Sequence, residues 1–430
     1  MKEAESEMME DYTSRRTIYQ IQWDKEILPY QLFNLYQEYA GSRYFFMTKE
    51  KDEWLLGLGV EKLINVNHRS PSYVTQVFNK MLESCTVTGI SPNLIRLFGG
   101  FQFDEGNNAD FEGFGHSHFI WPKIQVLFKD KCYYLSFTNM ETSAVEDFLS
   151  KLDRTIATAQ LPQVVEHHNV NEELFLANVR RAVGDMSNGL LSKVVLSRRK
   201  KVLLASAIDN STLIRRGFHD HEHSYFVLLE HGARTYVSRT PEQLVKVTGN
   251  HLATNAIAGT MSAKFADAKE RLLRDHKNLK EHQIVVGSIE DDLKPYTSEL
   301  TVPAAPDILS NRYFYHLYTP ISGTIKNSDI LTLTQAMHPT PALGGFPKAE
   351  AAEFIQQVEG NRGFYGAPIG YIDAQMDGEF VVAIRSMVLA GNEAVLYAGC
   401  GIVQDSRPEE ELYETEIKFK PMLQLLGVSQ

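Results

Sequence analysis

Three charged residues near the carboxyl end of the chain are spaced so that they can act together: Glu411, Glu414 and Lys418. A helix, at about 100° per residue, places these side chains within roughly 60° of one another. Two carboxylates and an ammonium on one stripe form a surface that can bind a divalent cation and, beside it, an anion. The same spacing is typical of a solvated helix face with a Glu-to-Lys ion pair. Spacing alone favours that plainer interpretation, so support for chemistry must come from elsewhere in the chain.

A lysine and a glutamate near the middle of the chain can serve as a base and an acid. Lys193 begins the predicted strand 193–197, where most lysines are simply solvated. A lysine acts as a base only where burial or positive neighbours lower its pKa from about 10.4. Glu242 lies either in a helical first turn, capped by Thr240 with Pro241 at the first position, or in a pocket as a buried acid facing the lysine. The second arrangement suits a reaction that adds water at one carbon and expels hydroxide at another.

A second glutamate-bearing helix precedes the final one. Glu281 lies in the predicted helix 263–292, off the centre of its apolar face. By itself, Glu281 is typical of a solvated helix glutamate. Across a cleft from Glu414 it would supply carboxylate oxygens from a second direction. Mg²⁺ takes one or two carboxylates together with waters and substrate oxygens.

Segments rich in small residues provide backbone N–H groups for an anion. They cover residues 255–260, 338–345 and 397–403. Such loops bring the backbone close to a ligand, although plain turns have the same composition. Arg385 ends the predicted apolar strand 380–385, where an arginine is either an edge residue or a clamp for a carboxylate.

Composition limits the class of protein. The chain has 430 residues, 43% of them hydrophobic, which is enough for a large core in one or two domains. We expect no membrane span, because no apolar run approaches the roughly 18 residues that a span needs. The net charge of −11 argues against nucleic acid as a partner. Three scattered cysteines argue against disulfides or a zinc site and favour a reducing cytoplasm.

The distribution of apolar runs predicts an α+β fold with large antiparallel β-sheets flanked by helices. We expect a flexible lead-in over residues 1–16, without the apolar stretch of a secretory signal. Residues 17–430 then form a single domain, with a strand-rich N-terminal half (17–165) and a catalytic half (166–430). Predicted helices cover 73–84, 143–158, 171–188, 263–292 and 408–420, and predicted strands cover 193–197, 224–230, 234–238, 243–247, 380–389 and 394–398. Pro421 is expected to end or kink the last helix.

An ordered set of motifs extends from Lys193 to Lys418, over half of the chain. In chain order the motifs are KVVLSR, TPEQL, AIAGT, KEH, HPTPALGG, GNRGFYGAPIGY, VVAIRS, YAGCGIV and ELYETEIK. As a set they resemble the chorismate-utilising enzyme family, which includes isochorismate, salicylate, anthranilate and aminodeoxychorismate synthases. The N-terminal part resembles the family only loosely.

The resemblance implies a Mg²⁺-dependent site. Glu281 and Glu414 would be the metal ligands, with Glu411 beside them, and the metal would bind the ring carboxylate of chorismate. The remaining implied substrate contacts are the Gly259–Thr260 loop at the ring carboxylate, Arg385, Lys418 and the backbone near Gly401 at the enolpyruvyl carboxylate, Ala342 and Leu343 at the ring, and His338 near the departing hydroxyl.

The residues at two positions distinguish among the reactions of the family. Aminodeoxychorismate synthases carry a lysine where this chain has Ala258, so covalent attack by that group is not expected. Water-using members carry lysine at the position of Lys193, and anthranilate synthases typically carry glutamine. The resemblance therefore implies that Lys193 activates water at C2 and that Glu242 protonates the leaving 4-hydroxyl, which gives isochorismate.

Several alternatives stay open at this point. A salicylate synthase would continue by eliminating pyruvate from the same pocket. Anthranilate synthase component I and a non-catalytic chorismate-binding protein are further alternatives. We expect no glutamine amidotransferase subunit and a monomer or homodimer. A menaquinone pathway is favoured over a siderophore or salicylate pathway by analogy with the long, divergent N-terminal half.

Overall fold

The computed structural model describes residues 15–220, 223–310 and 314–428. Of the predicted lead-in, residues 1–14 lie outside these ranges, and the first strand begins at Arg16. The strands are β1 (Arg16–Trp23), β2 (Arg43–Met47), β3 (Trp54–Val66), β4 (Cys85–Thr88), β5 (Arg96–Phe101), β6 (Ser117–Lys129), β7 (Cys132–Thr138), β8 (Val164–Val170), β9 (Lys193–Leu204), β10 (Tyr225–His231), β11 (Arg234–Thr240), β12 (Gln243–Thr248), β13 (His251–Ser262), β14 (Thr297–Thr301), β15 (Asp307–Ser310), β16 (Phe314–Ile325), β17 (Gly345–Phe346), β18 (Pro368–Asp373), β19 (Gly378–Val382), β20 (Ser386–Ala390) and β21 (Glu393–Ile402).

The helices cover the sheets rather than alternate with the strands. They are α1 (Pro29–Leu35), α2 (Pro71–Glu83), α3 (Thr142–Lys151), α4 (Glu172–Ser187), α5 (Asn210–His219), α6 (Ala268–Leu272), α7 (His276–Leu293), α8 (Ile330–Met337), α9 (Lys348–Glu359) and α10 (Pro408–Leu425). Within the described residues, β1 pairs in parallel with β4, and the other strand pairs are antiparallel. The predicted α+β fold with large antiparallel sheets is therefore confirmed.

The strands form two wings that share β3 and β6. The first wing continues from β3 through β2, β10, β11, β20 and β21 to β9. The second wing continues from β6 through β5, β18, β19, β12 and β13 to β16. The pairs β2–β10 and β5–β18 thus join strands of the predicted N-terminal half to strands of the predicted catalytic half.

Alternation along the strands divides the apolar side chains between two cores. In β10, Tyr225, Val227 and Leu229 belong to one core, while Phe226 and Leu228 belong to the other. The first core also contains side chains of β5, β18 and β19, so it lies between the wings. The second core is covered by α1, α3, α5 and α10. This packing fixes α10, and with it the predicted charged stripe, against β21.

Two predicted elements are interrupted. The predicted helix 263–292 is two helices, α6 and α7, because Asp275 caps the second by accepting the backbone N–H of Asn278 at 2.8 Å. The predicted strand 380–389 is β19 and β20, separated by a bend in which Arg385 has a φ of 48°. The prediction that Arg385 ends a strand is therefore wrong, because Arg385 lies between two strands.

Of the two outcomes expected at Pro421, an end of the last helix is not observed. α10 continues through Pro421 to Leu425, although proline removes one helical hydrogen bond. Phe419 and Leu425 are buried in the second core on either side of the proline. Their burial holds the last turns in place. The predicted helix 143–158, by contrast, ends at Lys151.

A buried ion pair fastens β2 to β10. The Nε and Nη2 groups of Arg43 donate to the two carboxylate oxygens of Glu230, at 2.8 and 2.7 Å. The Gly41 N–H and the Asn210 amide donate to the same carboxylate. Both charged side chains are buried, so the loss of either leaves the other without a counter-charge.

We predict that Glu230→Ala lowers the free energy of unfolding by about 3–5 kcal/mol, because Arg43 then remains buried and unpaired. The shift of the chemical-denaturation midpoint measures this change. Asp153→Ala, which breaks an exposed pair with Lys25, is the control and should cost about 0–1 kcal/mol. Equal effects of the two substitutions would contradict this prediction.

Candidate active site

A cavity of about 880 Å³ lies where β9, β13, β16 and β21 meet α7 and α10. Small-molecule sites have volumes of roughly 300–1,000 Å³, so the cavity can enclose a metabolite. The predicted site residues that line it are Lys193, Glu242, Ala258, Gly259, Thr260, Glu281, Ala342, Leu343, Arg385, Gly401, Glu411, Glu414 and Lys418. The structure therefore brings together all of the predicted site residues except His338.

Lys193 is a buried residue on the wall of this cavity. It begins β9, is only 2% exposed, and donates from Nζ to Glu281 Oε1 at 2.7 Å. Gly401, on the neighbouring strand β21, makes room for this pair. A Cβ atom at Gly401 would lie 3.0 Å from Lys193 Cε and 3.5 Å from Glu281 Oε1. Lys193 is therefore desolvated, as its role as a base requires. Glu281 is paired with a buried lysine and is not the solvated helix glutamate of the plainer interpretation.

Glu242 is a buried acid and not a residue of a helical first turn. Its backbone N–H donates to Thr240 Oγ1 at 3.1 Å, and the hydroxyl of Thr240 donates to Val382 O at 2.6 Å. The chain then continues as β12. Burial raises the pKa of Glu242 to about 7, although the positive charges of Arg385, Lys193 and Lys418 oppose this effect. A carboxyl group with this pKa can hold a proton near neutral pH and release it.

The predicted stripe on α10 faces the cavity. Lys418 Nζ lies 2.6 Å from Glu414 Oε1 and donates to Gly399 O at 2.9 Å. Burial alone would raise the pKa of Glu414, but the adjacent Lys418 ammonium outweighs burial and the pKa is lowered. The pKa of Glu411 is raised, first by burial and further by the negative charge of Glu414. The two carboxylates of the stripe therefore differ, and Glu414 is the one held ionised.

Two glutamates that line the cavity can hold a magnesium ion. Among the described residues, no group of three or more histidine, cysteine, aspartate or glutamate side chains is arranged to hold a metal ion. The prediction makes Glu281 and Glu414 the ligands and puts Glu411 beside them, so it does not require such a group of three. Glu281 and Glu414 each face the cavity and are each paired with an ammonium. Two such carboxylates suffice for Mg²⁺, which completes its shell with waters and substrate oxygens.

A bulge in β13 shapes one side of the cavity. The pairing of β13 with β16 shifts between Ala258 and Thr260, and Gly259 between them has a φ of 79°. A Cβ atom at Gly259 would lie 3.0 Å from Asn278 O, so a larger residue would collide with α7. The Thr260 N–H donates to Asn278 Oδ1 at 3.0 Å. The bulge thus turns Gly259 and Thr260 toward the space where an anion would bind.

Sequence reasoning missed His316 and Asn278. His316 lies opposite Thr260 on β16, lines the cavity, and shares a hydrogen bond of 2.9 Å between its Nδ1 and Thr260 Oγ1. Burial, with the charges of Arg385 and Lys418, lowers the pKa of His316 to about 3, so the imidazole is neutral. The only sequence signal for Asn278 is its place three residues after a potential capping aspartate.

His338 is not among the residues that line the cavity, although the resemblance implies a place near the departing hydroxyl. Its Nε2 donates to Phe103 O at 3.1 Å, and its ring contacts the Phe103 ring edge-on. The same loop nevertheless brings Ala342 and Leu343 to the cavity wall. The buried guanidinium of Arg362 fixes this position by donating to Leu343 O at 3.0 Å.

Comparison with known proteins places this site in a family. A family model described as "Chorismate binding enzyme" matches residues 4–427. The chain belongs to the chorismate-binding enzyme family.

None of the helices that the structure describes is long and apolar enough to cross a membrane.

Members of the chorismate-binding enzyme family share both sequence and fold with this chain. It is 32% identical to isochorismate synthase MenF of Bacillus subtilis over 93% of this chain and 91% of that protein. A putative 2,3-dihydroxybenzoate-specific isochorismate synthase, DhbC from Bacillus anthracis, is 27% identical with a TM-score of 0.75, over 94% of this chain and 100% of that one. The menaquinone-specific isochorismate synthase MenF of Escherichia coli has a TM-score of 0.80 and 21% identity, over 100% and 99% of the two chains, and shows the shared fold.

Burial of Glu242 makes the stability of this chorismate-binding enzyme depend on pH. Its folded-state pKa of about 7 lies above its ordinary value, so folding favours the protonated form. The protonated carboxyl therefore contributes roughly 3 kcal/mol to the free energy of unfolding. This contribution is fully present below the ordinary pKa of a glutamate and is lost as the pH rises through the folded-state pKa. We predict that Glu242→Gln unfolds like the wild type at about pH 4 but has the higher free energy of unfolding at about pH 9.

Denaturant titrations of the metal-free protein at the two pH values test this prediction. Glu410→Gln, at an exposed site on α10, is the control and should show no such pH-dependent difference. A Glu242→Gln variant that is destabilised equally at both pH values would contradict the assigned pKa.

Proposed function

We propose that this chorismate-binding enzyme is an isochorismate synthase. It would convert chorismate reversibly to isochorismate by adding water at C2 and removing the hydroxyl group at C4. The observation that carries the proposal is that Lys193 and Glu242 line the same cavity as Glu281 and Glu414. The similarity to proteins named isochorismate synthase, which in one case spans more than nine-tenths of both chains, supports it.

Chorismate carries two carboxylates, and the cavity offers partners for both. The bulged backbone at Gly259 and the hydroxyl of Thr260 suit the ring carboxylate, since both lie on the cavity wall. Arg385 and Lys418, together with the backbone near Gly401, suit the enolpyruvyl carboxylate.

The ring would lie between these two ends. Ala342 and Leu343 supply an apolar wall for it. Glu281 and Glu414 would hold Mg²⁺, which when bound supplies positive charge for the ring carboxylate. Ala258 leaves no lysine at its position to attack the ring directly, and Lys193 stands where the water-using members carry lysine, so we take water as the nucleophile.

The acid and the base divide the reaction between them. Lys193, in its neutral amine form, takes a proton from water as the water oxygen forms its bond to C2. The ring double bonds shift, the C4–O bond breaks, and Glu242 transfers its proton to the departing hydroxyl. One water is added and one is released, so the product is an isomer of the substrate. The pKa of Glu242, about 7, keeps a large fraction of the acid protonated near neutral pH.

The pathway and the partners are part of the same proposal. Whole-chain similarity to MenF of Bacillus subtilis favours menaquinone biosynthesis over siderophore formation. A water nucleophile requires no ammonia-supplying amidotransferase subunit. The described cysteines are all free, which suits a reducing cytoplasm, and we propose a monomer or homodimer there.

Incubation of the purified protein with chorismate and Mg²⁺, followed by chromatographic identification of products, tests the function. We predict isochorismate without pyruvate. We also predict that Lys193→Ala abolishes turnover while chorismate still binds, because the variant loses the group that activates water but keeps the residues assigned to the two carboxylates.

Each outcome of this experiment is decisive. Salicylate with pyruvate would assign the protein as a salicylate synthase, and no product would contradict the proposal. Normal turnover by Lys193→Ala would remove its role as the base. Lys151→Ala, on the surface of α3, is the control for loss of a lysine and should retain full activity.

A separate prediction concerns the metal. Glu414→Gln should weaken the response to Mg²⁺, because a neutral amide replaces an ionised oxygen ligand. A magnesium titration of chorismate turnover measures the shift to higher concentration, which we expect to be tenfold or more, on the order of that seen when metal ligation is perturbed. Glu410→Gln on the same helix is the matched control. An unchanged titration in Glu414→Gln would remove Glu414 from the ligand set.

A further inference from the structure

A much smaller chamber lies directly behind Glu242. Its volume is about 10 Å³, which is about the space that one buried water molecule requires. Glu242, Ile257 and Ala342 line both this chamber and the large cavity. Glu242 thus borders both the space for the substrate and the chamber.

Two of the polar side chains that line the chamber are committed elsewhere. The amide of Gln243 donates to Glu379 Oε1 at 2.7 Å. The hydroxyl of Thr254 donates to Leu244 O at 2.6 Å. Neither group therefore needs a partner within the chamber.

Asn255 and Thr340 differ from these neighbours. Both side chains are buried, and among the described residues neither Asn255 Oδ1 nor Thr340 Oγ1 has a hydrogen-bond partner. Buried polar atoms almost always have one, from protein or from ordered water. Because the two atoms belong to residues that line the same chamber, one water molecule can serve both.

We infer that the chamber holds one ordered water that links Asn255 and Thr340 to the carboxyl group of Glu242, so that these two residues position the acid. The inference rests on the proposed function for the role of Glu242, and on the chamber and its two unsatisfied atoms for the water. Within the described chain, we assign the positioning of Glu242 to these two residues alone.

The hydrogen bonds of such a water balance. It donates one hydrogen to Asn255 Oδ1 and the other to the inner oxygen of Glu242, and it accepts the hydroxyl hydrogen of Thr340. The outer oxygen of Glu242 is then left to carry its proton toward the large cavity. A carboxyl group held at one oxygen keeps its other oxygen in a constant direction.

The water also responds to the reaction. When Glu242 gives its proton to the departing hydroxyl, its carboxyl becomes an anion, and the bond from the water becomes charge-assisted and stronger. The charged groups that face Glu242 are Arg385, Lys193 and Lys418. These cations lie on the cavity side, and a substitution at Thr340 leaves them in place.

Thr340→Val tests the inference, because valine keeps the shape of threonine without its hydroxyl. We expect a kcat about tenfold lower with KM unchanged, since one hydrogen-bond network is weakened and substrate contacts are kept. The limb of the kcat–pH profile that falls with rising pH should move to higher pH, because the water, no longer held by the Thr340 hydroxyl, donates less well to the ionised carboxylate. Thr340→Ser keeps the hydroxyl and should restore both properties.

A crystal structure of the wild-type enzyme provides a test that does not depend on activity. A water molecule within hydrogen-bond distance of Asn255, Thr340 and Glu242 is expected. A chamber without such a water at a resolution that shows other buried waters would overturn the inference. Thr340→Val with wild-type kcat and pH profile, or Thr340→Ser as impaired as Thr340→Val, would overturn the positioning role.

The failure of the proposed function gives a different result. A wild-type protein that makes no isochorismate would contradict the assignment of Glu242 as an acid. The crystallographic result would still decide whether the chamber holds water.

Discussion

The buried ion pair between Lys193 and Glu281 is the interaction on which the cavity depends. It joins the first residue of β9 to the second turn of α7, and the Lys193 side chain is almost inaccessible to water. A buried ammonium without its carboxylate would cost several kcal/mol, about 3–5 in comparable cases. The strand and the helix are therefore held at one separation, and Gly401 on β21 is small enough to let the pair form. The positions of β9, α7 and β21, which are distant in sequence, are thus fixed relative to one another.

The same cavity holds carboxyl groups in opposite states. Glu242 is protonated more easily than usual because burial outweighs its cationic neighbours, whereas Glu414 is ionised more easily because Lys418 outweighs burial. Environment alone therefore separates a potential proton donor from a potential metal ligand. His316 stays neutral among the cations, so it adds a hydrogen-bonding group to the cavity without adding charge.

The features that could be predicted from sequence are those with a local period or a motif. The stripe of Glu411, Glu414 and Lys418 follows from helical spacing, and the antiparallel architecture follows from many short strands joined by turns. The break before α7 depends on one capping hydrogen bond of Asp275, and the bend at Arg385 depends on a backbone conformation that a non-glycine residue adopts only under tertiary constraint. Neither is visible in apolar periodicity.

The contents of the cavity were harder to predict at single positions. A resemblance in motifs does not reveal which side chains of a loop face the cavity, and the ring of His338 packs on Phe103. His316 comes to the cavity through its cross-strand pairing with Thr260, and sequence alone gave no sign of that pairing. The chemical roles of the residues that do line the cavity stay predictions until turnover is measured.

The joining of the two halves through β2–β10 and β5–β18 has a consequence for how this protein can be shortened or rearranged. Deleting the strand-rich half would remove the strand that pairs with one side of β10 and the strand that pairs with one side of β18. Each would become an exposed sheet edge with unpaired backbone groups and a row of apolar side chains. Such edges pair with other chains. An evolutionary or engineered truncation that keeps every cavity residue would thus yield aggregates rather than a minimal catalyst.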